Sequence, residues 1–271
     1  MTLPTAFIPP GAYNRHKLAI PGTPAGNAAR QAFISDLHAI CGDIRFLWLP
    51  LSTDGLTTAS AWRDARVWTY DATIAARIAT LGSLVTVDFD GTDDEADTPD
   101  TADTSPGDAS VDAPFSLIVL CKPDVNNAAM TLLAKEASAT AEEWNFGLNA
   151  SGHLVVTLTD ESASATLTGT YATAVGTVRT LLGMSYTGSG VNSGITNYKD
   201  GVAQTTAAGG AGTYVAMENT AALMHLGARY ATKERFFNGY IDFALCCFGA
   251  LSADKHFAIK EALNAMGGLS L

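Results

Sequence analysis

A chain of 271 residues, 47% hydrophobic and only 16% charged, can bury a full core beneath a surface rich in Ala, Gly, Thr and Ser. Its formal net charge of −11 excludes the basic stripe that nucleic-acid binding requires. There is no apolar run of the roughly 20 residues needed to span a membrane, and MTLPTAFIPPGAYN lacks the basic and apolar regions of a secretory signal. The four cysteines have no metal spacing and read as buried, reduced thiols, so the chain is expected to fold in a reducing cytoplasm.

In chain order, residues 1–26 form a Pro-rich segment that is extended and cannot fold alone. Leu3, Phe7, Ile8, Tyr13, Leu18 and Ile20 are spaced along it, more apolar side chains than a plain linker carries. Residues 27–42 read as an amphipathic helix with Ala29, Phe33, Leu37 and Ile40 on one face and Gly42 as its stop. Phe33 and Leu37 join the apolar residues of the arm in a surface expected to bind other protein subunits, in a homo-oligomer or a larger assembly.

From residue 43 to residue 271 the pattern is one of strands. RFLWLPL (45–51) is a short apolar run, and RVWTYDA (66–72) alternates. Segments 85–89, 115–123, 131–137, 143–148, 153–159, 163–168, 178–186, 195–205, 222–228 and 239–249 follow at the spacing of a sandwich. Asp200-Gly201 supplies the positive φ angles of a type I′ turn, pairing Lys199 with Val202 and Tyr198 with Ala203. TTAAGGAGTY (205–214) reads as a Gly/Ala loop. A final helix, 252–266, starts at a Ser252 N-cap and stops at Gly267-Gly268. Adjacent Cys246 and Cys247 in an extended strand must point to opposite faces. The expected fold is all-β, a two-sheet antiparallel jelly-roll sandwich with an N-terminal arm plus helix and a short C-terminal helix.

Four pieces of this pattern carry a resemblance. VDFDGTDDEADTPD (87–100), APFSLIVLCKPD (113–124), NYKDGV (197–202) and LGARY…FFNGYIDFALCCFGALS (226–252) occur in the order found in concanavalin A-like jelly rolls. They are most similar to the laminin-G-like (LamG) and pentraxin-type domains of that group. The resemblance implies two packed antiparallel sheets over roughly residues 45–271. It implies no single activity, because this fold hosts lectins, hydrolases and adhesive modules.

Between Asp88 and Asp112 stand ten acids and no Lys or Arg. Such a cluster suits a hard cation or a solvated loop. LamG-like domains often bind Ca²⁺ at a loop edge, which makes Asp88, Asp90 and Asp93 the expected ligands; no cofactor is otherwise required. Glu95, Asp97 and Asp100 echo the carboxylate motif of laminarinase-type glycoside hydrolases, but Pro99 and the surrounding Gly, Asp and Thr argue for a loop where those enzymes have a strand. The five histidines form no metal motif, and there is no GxSxG elbow. Aromatic rings are the signal for stacking on sugars. Trp68 and Trp144 fall in alternating strands and read as core; Tyr214 and Tyr230 lie near loops and are the expected glycan contacts.

These readings lead to a non-enzymatic structural or adhesion protein, a bacteriophage virion component anchored by residues 1–42 and displaying its jelly roll toward a host-surface glycan. The alternative is a carbohydrate-binding, lectin-like module outside a virion, Ca²⁺-dependent or not. A glycoside hydrolase is the minority reading.

Overall fold

FSLIVLCKP is apolar at nearly every position, the pattern of a strand covered on both faces. In the computed structural model, which describes residues 24–50, 58–60, 67–70, 78–81, 84–138, 140–230 and 234–271, it lies at the centre of the first of two antiparallel sheets. That sheet runs, in spatial order, β14 (Val202–Ala203), β13 (Ile195–Lys199), β12 (Thr180–Tyr186), β7 (Phe115–Pro123), β17 (Asn238–Phe248), β5 (Leu84–Asp90) and β4 (Ile78–Leu81). β1 (Asp43–Trp48) pairs with the C-terminal half of β17, beside the stretch that β5 occupies. The second sheet runs β15 (Thr206–Ala211), β11 (Ala165–Ala174), β10 (His153–Asp160), β9 (Glu142–Leu148), β8 (Met130–Glu136), β16 (Met224–Leu226), β6 (Ala96–Thr98), β3 (Val67–Tyr70) and β2 (Thr58–Ser60).

Alternation along the central strands builds two cores. Phe115, Leu117, Val119 and Cys121 of β7 face Trp144, Phe146, Leu154, Val156 and Leu158 of the second sheet, forming the core between the sheets. Ile118 and Leu120 face the other way, with Phe243, Leu245 and Cys247 of β17, into a second core. This is closed by α1 (Pro24–Cys41) and α2 (Ala253–Gly267), which supply Phe33, Ile34, Leu37, Ile259 and Leu263. Cys246 enters the first core and Cys247 the second, the opposite faces that an extended dipeptide dictates. All four cysteines are free and buried. Burial pushes the Cys121 thiol up, and a hydrogen bond with Cys41 together with burial does the same for Cys247.

The docking of α1 corrects one expectation. Phe33 and Leu37, assigned to a partner-binding surface, are buried at 2% and 0% exposure against the chain's own first sheet, with Phe33 edge-on to Phe243 at 5.7 Å. An amphipathic helix beside an uncovered apolar sheet face buries its stripe there at no cost in association entropy. Leu3, Phe7, Ile8, Tyr13, Leu18 and Ile20 of the arm lie outside the described residues.

Two segments read as loops are strands. Residues 205–214 contribute the edge strand β15, paired to β11 from Thr206↔Tyr171 to Ala211↔Thr166. Their lack of side-chain bulk is what the edge needs: a Cβ on Gly210 would sit 2.1 Å from the Thr166 carbonyl oxygen. Ala96–Thr98 forms β6 between β16 and β3, because Pro99 falls just after it and spoils no ladder hydrogen bond. The hairpin at 199–202 forms as expected, with φ of 49° at Asp200 and 78° at Gly201 and the pairs Tyr198↔Ala203 and Lys199↔Val202.

Candidate functional site

Where β14 leads into β15 the chain crosses from the first sheet to the second, and a cavity of about 430 Å³ opens at the far end of β15. One wall is the β12–β13 connection, with Gly190, Val191 and Asn192; the other is the end of β15 running on to Tyr214, with Thr166 and Leu167 of β11 between them. The first wall is shaped by a tight 3₁₀ turn, Asn192–Gly194, closed by Gly194 N donating to Val191 O at 2.9 Å. Val191 and Val215 stand on either side with 50% and 55% exposure.

A buried carboxylate ties the walls together. Asp112, 5% exposed, accepts hydrogen bonds from Tyr214 Oη at 2.7 Å, Tyr186 Oη at 3.0 Å and the Met217 backbone N–H at 2.9 Å. Tyr186 Oη in turn accepts from Gly190 N at 2.7 Å. Both walls therefore hang on one side chain. Burial pushes the Asp112 carboxyl up, against the lowering effect of its three donors. Burial and Asp112 push both tyrosine hydroxyls up, so they remain protonated donors. Asp160 fixes the next stretch, accepting from Val215 N at 2.8 Å and from Ala163 N at 2.9 Å. Burial raises its pKa, but the hydrogen bonds outweigh this and leave it lowered.

The fold as a whole is similar to solved β-sandwich domains. No known family profile matches the sequence, and no curated protein is similar to it. Solved structures do match. The binding domain of Paraclostridial Mosquitocidal Protein 1 superposes with a TM-score of 0.60 at 9% identity, over 82% of this chain and 52% of that one. Botulinum neurotoxin type C, whose cell entry depends on interaction with two ganglioside molecules, gives 0.59 at 12% identity over 84% and 53%. Domain 4 of AbnA, an extracellular GH43 arabinanase from Geobacillus stearothermophilus solved with arabinotriose, gives 0.54 at 16% identity over 80% and 98%. The chain thus spans about half of each toxin structure and nearly all of the arabinanase domain. These likenesses establish the sandwich fold. None of them supports a virion role.

Of the expected site residues, Tyr214 lines the cavity. Tyr230 does not, and it is not a free contact either. It is half-buried, with φ of 62°, the Arg229 guanidinium 4.0 Å from its ring centre and its hydroxyl bonded to Glu142. Arg229 also donates to Glu136 Oε2 and Glu142 Oε1, both at 2.7 Å, so Tyr230 belongs to a charged cluster on the second sheet.

Of the acids expected to ligate a cation, Asp90 and Asp93 lie together with Asp94, their carboxylate oxygens within 4.8 Å of one another, a set that could hold a hard cation. Asp88 sits farther back in β5, opposite Tyr240, and is not part of this group. Within that turn Asp90 Oδ1 accepts from Thr92 N at 2.8 Å, and Asp94 Oδ2 accepts from Asp90 N at 2.8 Å. Two of the hydrolase-like carboxylates lie against basic side chains. Glu95 is 1% exposed, with Oε2 3.4 Å from His225 Nδ1, while Asp100 accepts from Lys135 Nζ at 2.6 Å.

Sequence reasoning missed Asp112, Gly190 and Asn192. Asp112 was legible only as one acid among ten; its function comes from partners 74 and 102 residues away.

Proposed function

We propose that this chain is a carbohydrate-binding β-sandwich module that seats a saccharide in the cavity beside Tyr214. The observation that carries this reading is an aromatic side chain held by a buried carboxylate in the wall of a cavity of about 430 Å³. That volume lies in the range of small-molecule sites, and the lining sets one aromatic residue, Tyr214, beside the polar Thr166 and Asn192. The ganglioside-dependent toxin and the arabinotriose-bound arabinanase domain, which share the fold, support the same reading.

The test is titration calorimetry of the full chain with a panel of oligosaccharides that includes arabinotriose, repeated in EDTA. Tyr214→Ala should weaken binding by about 1–2 kcal/mol, roughly five- to thirtyfold. No binding across the panel, or equal binding by Tyr214→Ala, would remove this function from the cavity. A loss in EDTA would bring the Asp90, Asp93 and Asp94 loop into the binding event; unchanged heats would leave it out.

A further inference from the structure

Resting on that reading, we infer that the cavity selects uncharged saccharides and rejects sialylated or otherwise anionic ones. The first ground is what lines it. Its polar side chains are Thr166, Asn192 and Tyr214, and no Lys, Arg or His is among its described lining residues. A sugar carboxylate is recognised by a guanidinium, an ammonium or a set of converging N–H donors. The Tyr214 hydroxyl, the strongest neutral donor at the wall, is already spent on Asp112 at 2.7 Å. Tyr214 therefore has no hydroxyl proton left for a sugar carboxylate.

The second ground is what lies behind the wall. Asp112 and Asp160, at 5% and 1% exposure, both hold the segment that carries Tyr214. Three donors converge on Asp112 and four on Asp160, the environment of ionised carboxylates. The whole chain adds a net charge of −11. An anionic sugar at Tyr214 thus meets charge of its own sign with no counter-ion from the lining residues.

The experiment compares matched pairs on the full chain: lactose against 3′-sialyllactose, and an asialo-ganglioside oligosaccharide against its sialylated form, with arabinotriose as a further neutral probe. The neutral member should bind, with its sialylated partner weaker by roughly tenfold or more at low salt and the gap narrowing as salt is raised. Val191→Arg, a substitution at a half-exposed rim position, should close the gap by favouring the sialylated member. Equal affinity, or preference for the sialylated member, would overturn the selectivity while leaving a saccharide site in place. Failure of every probe would overturn both.

Discussion

His256 gives the fold a pH dependence that can be worked out from its surroundings. Its ring is 1% exposed, stacked on Tyr198 with centroids 3.7 Å apart, and its Nε2 lies 2.9 Å from Ser185 Oγ. Ser185 Oγ also lies 2.9 Å from Leu251 O and 2.9 Å from Ser116 Oγ, so the ring joins a network of neutral groups. The groups around the ring are hydroxyl, phenol and carbonyl, and none is an acid that would welcome a charge. Burial accordingly pulls the His256 pKa from 6.5 down to about 3. The sign follows: below pH 6.5 the unfolded chain takes a proton that the folded chain refuses, so stability present above 6.5 is lost as pH falls toward 3. Each unit in that window costs about 1.4 kcal/mol, which amounts to about 2 kcal/mol between roughly pH 7.5 and pH 5. His256→Gln should cost about 1–2 kcal/mol at the upper pH through lost stacking and packing, yet lack this decline, so that the two proteins approach each other near pH 5. Urea unfolding of both proteins at several pH values measures the difference, in which the contributions of the buried carboxyls cancel. Parallel curves across the interval would refute the assignment of a neutral, proton-refusing His256.

Other outcomes follow from single contacts. Gly201→Ala places a Cβ at φ of 78° and 2.6 Å from the Phe257 Cα on α2, so it should cost more than the roughly 1–2 kcal/mol of the left-handed backbone alone. Gly176→Ala, at φ of 86° with open space around it, should cost only that backbone part, and thermal unfolding of the two variants separates collision from conformation. Lys135 is fully buried and donates to Asp100, to buried Glu143 and to Ala222 O; Lys135→Met should cost about 3–5 kcal/mol in chemical unfolding by leaving Glu143 uncompensated. Asp112→Asn trades one acceptor oxygen for a donor, so it should weaken saccharide binding by loosening both walls and should also lower the melting temperature.

Legibility in the sequence tracked how local each determinant is. The Asp200-Gly201 turn, the two-faced β7 and β17, and the split of Cys246 from Cys247 rest on neighbouring residues and could be read directly. β6 and β15 could not, since their composition is that of loops and only their partners make them strands. The partner-binding assignment of Phe33 and Leu37 failed on the same point. Their spacing specifies an apolar helix face, but only the tertiary fold shows that the outer face of the first sheet, with Ile118 and Leu245, lies open to receive it. Tyr214 and Tyr230 were indistinguishable by position near a loop. Their partners separate them: a carboxylate behind the ring at one, a guanidinium against it at the other.

The cavity explains why the site was the least legible part. Its walls come from residues 166–167 of β11, the 190–192 connection and residues 210–214 at the end of β15, and its brace, Asp112, lies just before β7. None of these segments carries a motif. They meet because β13 and β15 lie in different sheets yet are joined by a short crossing, pinned where Asn197 N donates to Thr206 Oγ1 at 3.0 Å and Asn197 Nδ2 donates to Gly169 O at 3.1 Å. The same Gly- and Ala-rich stretch that looked featureless lets β15 approach β11 closely, and the chain then delivers Tyr214 to the rim. A bulky substitution at Gly210 or Gly212 should therefore disturb the saccharide site and the sheet edge together, whereas one at exposed Val202 on β14 should leave both intact.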